Sequence, residues 1–361
     1  MIISAQRLAA RATGNKPIGK GIKSFAMSAL ALKAMNSIVA SPGSHSAFIK
    51  SDGSLWTMGK NDQGQLANWT NSDFSTPTIV SLGSFAVSLG NVSLGGGVSI
   101  AAFDFAKVAI GGGHTIYVST EGVSPGYPPA KYAYTSGRNT SGQLGNGNNT
   151  DFNNFQFVPT YLVNNQRVID VAAGQNHSLF LMEDGSLLGT GGNEYGQLGL
   201  GHENNQTSVQ SILTSGVRRV AAGYGHTLLV KTDGSLWGMG RNDDGQLGLG
   251  DQVNRNQPTR ILPSGVEQVA AGVHHTLIIK TDGSLWVMGS SANGQLGSGG
   301  TGFSLLPTKL ENGGVTQVRA GCDHSLFIKK DGTLWGMGNN NFGELGLGDT
   351  SQRLSPVLID S

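Results

Sequence analysis

Residues 220–250 read VAAGYGHTLLVKTDGSLWGMGRNDDGQLGLG, and almost the same string returns twice at intervals of 49 residues. Less regular copies of it lie earlier in the chain. Six of the eight histidines occupy one position of this repeat: His45, His114, His177, His226, His275 and His324. Self-similarity at a fixed period is typical of repeat architectures. The chain is therefore built from six copies of one unit.

Each unit contains short apolar segments separated by turns. In the copy quoted, HTLLVK and SLWGMG alternate like β-strands, and Asp233-Gly234 between them suits the positive φ of a tight hairpin. VAAG predicts a third strand, and a fourth follows the glycine-rich turn near Pro258. Four strands per unit without a helical period are typical of a propeller blade. We predict an all-β propeller of six four-stranded blades.

The two ends of the chain suggest how the ring closes. Residues 356–361 match residues 258–263 of the repeat, and residues 35–39 match residues 265–269. We therefore expect the first and last strands to pair within one blade, which would remove exposed sheet edges. The prediction assigns 35–361 to a single propeller domain and 1–34 to a disordered basic tail or targeting segment. Residues 81–105, which lengthen one connection, are expected to project as a hairpin or wedge.

Composition limits the classes of function. Glycine supplies 56 of 361 residues, and charged residues only 13%, which together with 13 phenylalanines indicates a packed core rather than a solvated chain. The single cysteine, Cys322, excludes an internal disulfide framework and a cysteine-based zinc site. No apolar run reaches the roughly 18 residues of a membrane-spanning helix. The sequence predicts a soluble protein and leaves its compartment open.

Charge is unevenly distributed along the chain. The first 50 residues hold seven basic side chains and no acidic one, whereas the rest holds 17 basic and 23 acidic residues. This start is similar to a transit peptide or a long signal n-region, although the apolar stretch at 24–32 is short. It also suits weak contact with nucleic acid or an anionic surface. An extension without function is the third interpretation.

GxxH[ST]L followed by DGSLWxMGxNxxGQLG resembles the repeat of the regulator of chromosome condensation family, over about residues 35–361. The resemblance implies a propeller that presents its loops on the faces of the ring to a partner. Familiar members of the family have seven blades, so the resemblance leaves seven blades as the alternative to six. Similar bacterial β-lactamase inhibitor proteins use the scaffold as a blocking surface. The similar plant ultraviolet-B photoreceptor carries tryptophans in the loop before the repeat histidine. This chain has none there, so photoreception is not expected.

Candidate binding residues lie where otherwise similar units differ, because repetition leaves the loops free to vary. These positions are the two residues before each repeat histidine and the residue after the M-G pair. They supply six candidate binding residues: Lys60, Arg138, Tyr224, Arg241, His274 and Asp323. Aromatic and arginine side chains are common anchors of interfaces.

The repeated histidines are expected to be structural, each bonded within its own blade, since buried polar groups need partners. No metal site and no cofactor is predicted. Asp233 and Gly234 are adjacent, whereas the Asp-box of sialidases separates these residue types by one position, and no phosphate loop, HExxH motif or nucleophile elbow occurs. The predicted function is a non-enzymatic protein–protein interaction module. The alternatives are a chromatin-associated regulator or guanine-nucleotide exchange factor for a small GTPase and, ranked lower, a carbohydrate-active enzyme.

Overall fold

The computed structural model describes the chain in six stretches, residues 35–39, 45–50, 53–80, 105–119, 132–159 and 167–360. These residues form six sheets of four antiparallel strands, and each sheet runs in chain order from its first strand to its fourth. First strands of successive sheets contact one another and line the centre of a ring. The prediction of six four-stranded blades is confirmed, and the seven-bladed alternative is not observed in the described stretches.

The strands are numbered in chain order. Blades 1 and 2 comprise β1 (Met35–Val39), β2 (His45–Lys50), β3 (Leu55–Gly59), β4 (Phe74–Ile79), β5 (Phe105–Ile110), β6 (His114–Ser119), β7 (Ala133–Gly137) and β8 (Phe152–Val158). Blades 3 and 4 comprise β9 (Val168–Ala173), β10 (His177–Met182), β11 (Leu187–Gly191), β12 (Gln206–Leu213), β13 (Val217–Ala222), β14 (His226–Lys231), β15 (Leu236–Gly240) and β16 (Arg255–Leu262). Blades 5 and 6 comprise β17 (Val266–Ala271), β18 (His275–Lys280), β19 (Leu285–Ser290), β20 (Phe303–Glu311), β21 (Val315–Ala320), β22 (His324–Lys329), β23 (Leu334–Gly338) and β24 (Arg353–Asp360).

The hairpin between the second and third strands follows the predicted turn. Gly234 has a φ of +78°, which glycine adopts without steric cost. The Asp233 carboxylate accepts hydrogen bonds from the Ser235 amide at 2.9 Å and hydroxyl at 2.6 Å, and that hydroxyl accepts from Trp237 Nε1 at 2.8 Å. These bonds lower the pKa of the Asp233 carboxyl. DGSLW is therefore one hydrogen-bonded unit, which explains why its residues recur together.

The core lies between blades rather than within one sheet. Leu179 and Leu198 of blade 3 pack with Leu229 and Met239 of blade 4, and equivalent clusters join the other successive pairs from blade 1 to blade 6. The repeated aromatic position is only half-buried at the edge of this packing. Trp237, for example, is covered by the Lys231 ammonium group 3.9 Å from its ring centre. Successive blades are thus held together mainly by the apolar packing between them.

The prediction of ring closure by strand exchange is wrong. β24 pairs with β23, and β1 pairs with β2, so every blade consists of four consecutive strands. A periodic sequence sets the order of the strands but not the point at which one sheet ends and the next begins. The outer edges therefore remain, and Pro77, Pro258, Pro307 and Pro356 lie in outer strands, where a missing N–H is tolerated.

Two predictions fall outside the described residues. The tail at 1–34 is one, and the projection is the other, since 81–104 are not described and Phe105 already begins β5. Within the part of the chain that the structure covers, no helix is long and apolar enough to cross a lipid bilayer.

Candidate partner-binding face

Two sets of loops emerge on the same side of the ring, namely those joining the first strand of each blade to the second and the third to the fourth. Within blade 4 they are bonded together, since the Arg241 amide donates to the Gly225 carbonyl at 2.8 Å. Between blades 5 and 6, the Val273 amide donates to the Cys322 carbonyl at 3.4 Å. We call this side, made of the first-to-second and third-to-fourth loops, the loop face.

All six predicted binding residues lie on the loop face, but they do not form one contact. Lys60 pairs with Asp62 of its own loop at 2.7 Å, and Arg138 Nε donates to Thr140 Oγ1 at 2.8 Å. Both residues are thus engaged locally in blades 1 and 2. The other four predicted residues belong to blades 4 to 6: Tyr224, Arg241, His274 and Asp323.

Arg241 is the centre of a polar group that spans three blades. Its Nε lies 2.9 Å from Asp243 Oδ2, and its Nη2 lies 3.6 Å from Asp244 Oδ2. The guanidinium lies 5.8 Å from the ring centre of Tyr195 in blade 3, and His274 Nδ1 of blade 5 lies 2.7 Å from Asp244 Oδ2. Although burial opposes it, the two carboxylates raise the pKa of Arg241. We call Tyr195, Arg241, Asp243, Asp244 and His274 the Arg241 cluster.

Sequence reasoning missed Tyr195 and Asp244, which share one position of the repeat. Both lie two residues after the asparagine of the third-to-fourth loop, and their side chains reach the next blade. A Cβ added to Gly225 of blade 4 would lie only 2.8 Å from Tyr195 Cδ2 of blade 3. Asp244 of blade 4 contacts His274 of blade 5. The signal was present in the sequence. This position holds a different residue in every unit: Gln63, Ser141, Tyr195, Asp244, Asn293 and Phe342.

Blade 6 adds an acidic and an apolar group to the loop face. Asp323 Oδ1 accepts a hydrogen bond from Gln295 Nε2 of blade 5 at 3.3 Å. Next to it, burial and the carboxylates of Asp323 and Glu344 raise the pKa of the Cys322 thiol, which keeps the thiol protonated at neutral pH. A protonated thiol is a poor nucleophile. Phe342 is 62% exposed in the following loop.

The described part of the loop face is acidic overall. It carries five basic side chains, Lys60, Arg138, Arg241, Arg255 and Arg353. Its eleven acidic side chains are Asp62, Asp73, Asp151, Glu194, Glu203, Asp243, Asp244, Asp251, Asp323, Glu344 and Asp349. This excess of carboxylates creates a negative potential that extends about 8 Å at physiological salt.

The repeat histidines are structural, and five of the six are bonded to the next blade rather than within their own. His177 Nε2 lies 3.1 Å from Thr227 Oγ1, and that hydroxyl donates to the Gln197 carbonyl at 2.8 Å, so His177 must be the donor. The same bond joins His45 to Thr115, His114 to Ser178, His226 to Thr276 and His275 to Ser325. Adjacent strand residues point to opposite sides of a sheet. The histidine of the H-[ST] pair therefore donates a hydrogen bond to the following blade, and the serine or threonine beside it accepts one from the preceding blade.

Burial determines the protonation of these histidines. Desolvation lowers the pKa of His45 and His177 to about 4 and that of His226 to about 3. Nδ1 of each has no hydrogen-bond partner among the described residues, so a second proton would be both buried and unpaired. One imidazole lies at each seam, and nowhere in the described stretches do three potential ligand side chains group around a metal position.

Comparisons with known proteins identify the family to which this fold belongs. The family model described as the RCC1-like domain matches residues 18–361. "Protein RCC2 homolog" of Danio rerio is 32% identical over 163 residues, which are 45% of this chain and 27% of that protein. "X-linked retinitis pigmentosa GTPase regulator" of Homo sapiens is 32% identical over 168 residues, 46% of this chain and 14% of that protein. The matches thus span about a quarter or less of these two relatives.

Solved structures give the same fold. Prp20p from Saccharomyces cerevisiae superposes with a TM-score of 0.72 at 24% identity, over 88% of this chain and 75% of that chain. Human WBSCR16 superposes with a TM-score of 0.72 at 24% identity, over 90% of this chain and 82% of that chain.

Proposed function

Because this chain belongs to the RCC1-like domain family, we propose that it is a non-enzymatic protein-interaction module whose loop face binds a protein partner. The observation that carries the proposal is the Arg241 cluster. Five side chains from three blades meet on one face, at loop positions that the scaffold leaves free to vary. A partner seated there contacts several blades at once.

The chemistry of the cluster supports an anchoring role. Arg241 and Tyr195 are of the residue types that dominate binding energy at interfaces. Two carboxylates already hold the Arg241 guanidinium in place, so a partner would lose little side-chain entropy in contacting it. The surrounding carboxylates favour a partner surface that is basic. Tyr224 adds an aromatic side chain in blade 4, and Asp323 extends the proposed contact to blade 6.

Removing three of these side chains is expected to abolish capture of the partner. In affinity capture from lysate of the source cell, Tyr224→Ala, Arg241→Ala and Asp323→Ala together should reduce recovery at least tenfold, a loss of about 1.4 kcal/mol. Recovery should also fall as salt is raised, because the face is acidic. The matched control changes three exposed residues on the opposite side of the ring: Thr232→Ala, Thr281→Ala and Lys330→Ala. Equal recovery with both triple variants would contradict the proposal.

Regulation of a small GTPase is the second candidate. One relative is a GTPase regulator by name. Prp20p, which has the same fold, is described as binding Gsp1p and histones. An exchange factor binds its GTPase most tightly when the nucleotide is absent. Capture of a small GTPase that GTP or GDP releases would therefore favour this function over the general one.

A separate experiment tests whether the basic start of the chain binds nucleic acid. Full-length protein and residues 35–361 are compared at low and moderate salt. Nucleic acid recovered only by the full-length chain, and only at low salt, would assign that contact to residues 1–34.

A further inference from the structure

Blade 5 departs from its two neighbours in the loop between its third and fourth strands. In blade 4, three polar side chains fill this loop: Asn242, Asp251 and Arg255. Blade 6 has the same three residue types: Asn340, Asp349 and Arg353. The equivalent residues of blade 5 are Ser291, Gly300 and Ser304. All three side chains are shortened in this one blade.

In blade 4 the asparagine carboxamide bridges the two arms of the loop. Its Oδ1 accepts from the Leu247 amide at 2.9 Å, and its Nδ2 donates to the Asp251 carbonyl at 2.9 Å. Arg255 then closes the loop, with Nη2 2.6 Å from Asp251 Oδ2. One carboxamide thus satisfies a donor on one arm and an acceptor on the other.

Blade 5 keeps only half of this arrangement. Ser291 Oγ donates to the Gly300 carbonyl at 3.0 Å, which replaces the donor role of the asparagine. The Leu296 amide, which is equivalent to that of Leu247, has no acceptor among the described residues, although Leu296 is only 2% exposed. In the other five blades an asparagine Oδ1 accepts this bond at 2.9 Å. A buried N–H without an acceptor is rare in proteins and destabilising.

The shortened side chains leave a cavity. It has a volume of about 230 Å³, enough for a small organic group. Its lining combines hydroxyls with apolar surface, and includes Ser291, Leu296, Ser298, Phe303, Ser304 and Thr308. Because Gly300 and Ser304 replace the aspartate and arginine, no charged side chain is among the lining residues.

We propose that this cavity binds a primary carboxamide supplied from outside the loop, either an asparagine or glutamine side chain of a polypeptide or a free small amide. The carboxamide oxygen accepts from the Leu296 amide, and its NH₂ group donates to the hydroxyl oxygens of Ser291 and Ser304, whose own protons go to backbone carbonyls. A carboxylate of the same shape fits poorly, since it brings no donor to these hydroxyl oxygens and meets no cation. The cavity belongs to a third-to-fourth loop and therefore to the loop face, but this proposal does not depend on a protein partner at the Arg241 cluster.

The test is a titration of the intact chain followed by NMR at the Leu296 amide. Propionamide is expected to shift this resonance in a saturable way, with a dissociation constant in the millimolar range that suits so small a ligand. Propionate, which lacks the donor, should bind at least about tenfold more weakly. No saturable shift with propionamide, or an equal response to propionate, would overturn the proposal.

Ser291→Asn is the matched variant, because it restores the side chain of the other five blades. It should abolish the propionamide response and raise Tm by about 2–4 °C through the filled cavity and the satisfied amide. A triple variant restores the three residue types of blade 4: Ser291→Asn, Gly300→Asp and Ser304→Arg. It replaces the single variant in this experiment if the single variant does not fold. A propionamide response that persists in a folded variant would refute the site.

Peptide probes distinguish the two possible sources of the carboxamide, a polypeptide side chain and a free small amide. Acetyl-Ala-Asn-Ala N-methylamide is compared with its aspartate counterpart and with propionamide. Binding of the asparagine peptide at least tenfold tighter than propionamide supports a polypeptide ligand, and tighter binding of propionamide supports a free amide. Equal binding of the asparagine and aspartate peptides contradicts the recognition of a carboxamide.

Discussion

Acidification from pH 7 to 5 is expected to unfold the propeller cooperatively. Five histidines at the blade seams have pKa values of about 3 or 4 in the folded chain, against 6.5 when they are exposed. Each loses about 1.4 kcal/mol of stability per pH unit below 6.5, so five lose about 7 kcal/mol per unit. A typical domain has about 5–15 kcal/mol in total. Unfolding is therefore expected near pH 5.

The direction of the effect follows from which state binds protons first. Burial lowers the folded pKa, so the unfolded chain takes up protons as the pH falls through 6.5 while the folded chain does not. The stability is fully present above pH 6.5 and is lost as the pH falls towards the folded values. Aspartates such as Asp233 and Asp251, whose folded pKa is also lowered, lose their contribution only below about 4. The two pH windows are thus separate.

Urea unfolding followed by tryptophan fluorescence at several pH values between 8 and 5 measures this dependence. The slope of the free energy of unfolding against pH gives the number of protons taken up, which should approach five below pH 6. His202→Asn is the control, since His202 is exposed and lies outside the repeat, and it should leave the slope unchanged. An equal free energy of unfolding at pH 7.5 and 5.5 would show that the seam histidines are not buried as described.

Replacing Gly223 by alanine is expected to cost about 3 kcal/mol of stability or more. The new Cβ would lie 2.3 Å from His226 Cε1 and 2.4 Å from the Gly272 carbonyl oxygen of the next blade. The imidazole is held by its bond to Thr276 and the carbonyl belongs to the backbone, so neither contact can relax cheaply. The glycine of VAAG is required because the histidine packs directly on it.

Gly313→Ala is the matched control for this substitution. Gly313 does not have a left-handed φ, and its added Cβ would meet only the Asp282 carbonyl oxygen at 3.5 Å, an ordinary contact. Its free energy of unfolding at pH 7.5 should stay within about 0.5 kcal/mol of the original. If both alanine variants unfold at the same urea concentration as the unaltered chain, the close packing at the seams is refuted.

Much of the candidate site could be predicted from the repeat. Positions that vary between matching units were sufficient to place Tyr224, Arg241 and His274 in loops, and the structure brings those loops to one face. The same criterion would have found Tyr195 and Asp244. It could not show that Lys60 and Arg138 are engaged within their own loops, because that depends on which side chains the folded loops bring within reach.

By itself, the sequence determined the strands, their order and the number of blades, because alternation and the DG turn act within a few residues of each other. Only the tertiary structure decided the relations between units. These are the start and end of each sheet, the bonds from five repeat histidines to the following blade, and the contact of Asp244 with His274. The cavity of blade 5 is likewise a feature that only the tertiary structure decided. Such contacts join residues about 30 to 50 positions apart, and their geometry is set by how neighbouring blades pack, which no local pattern encodes.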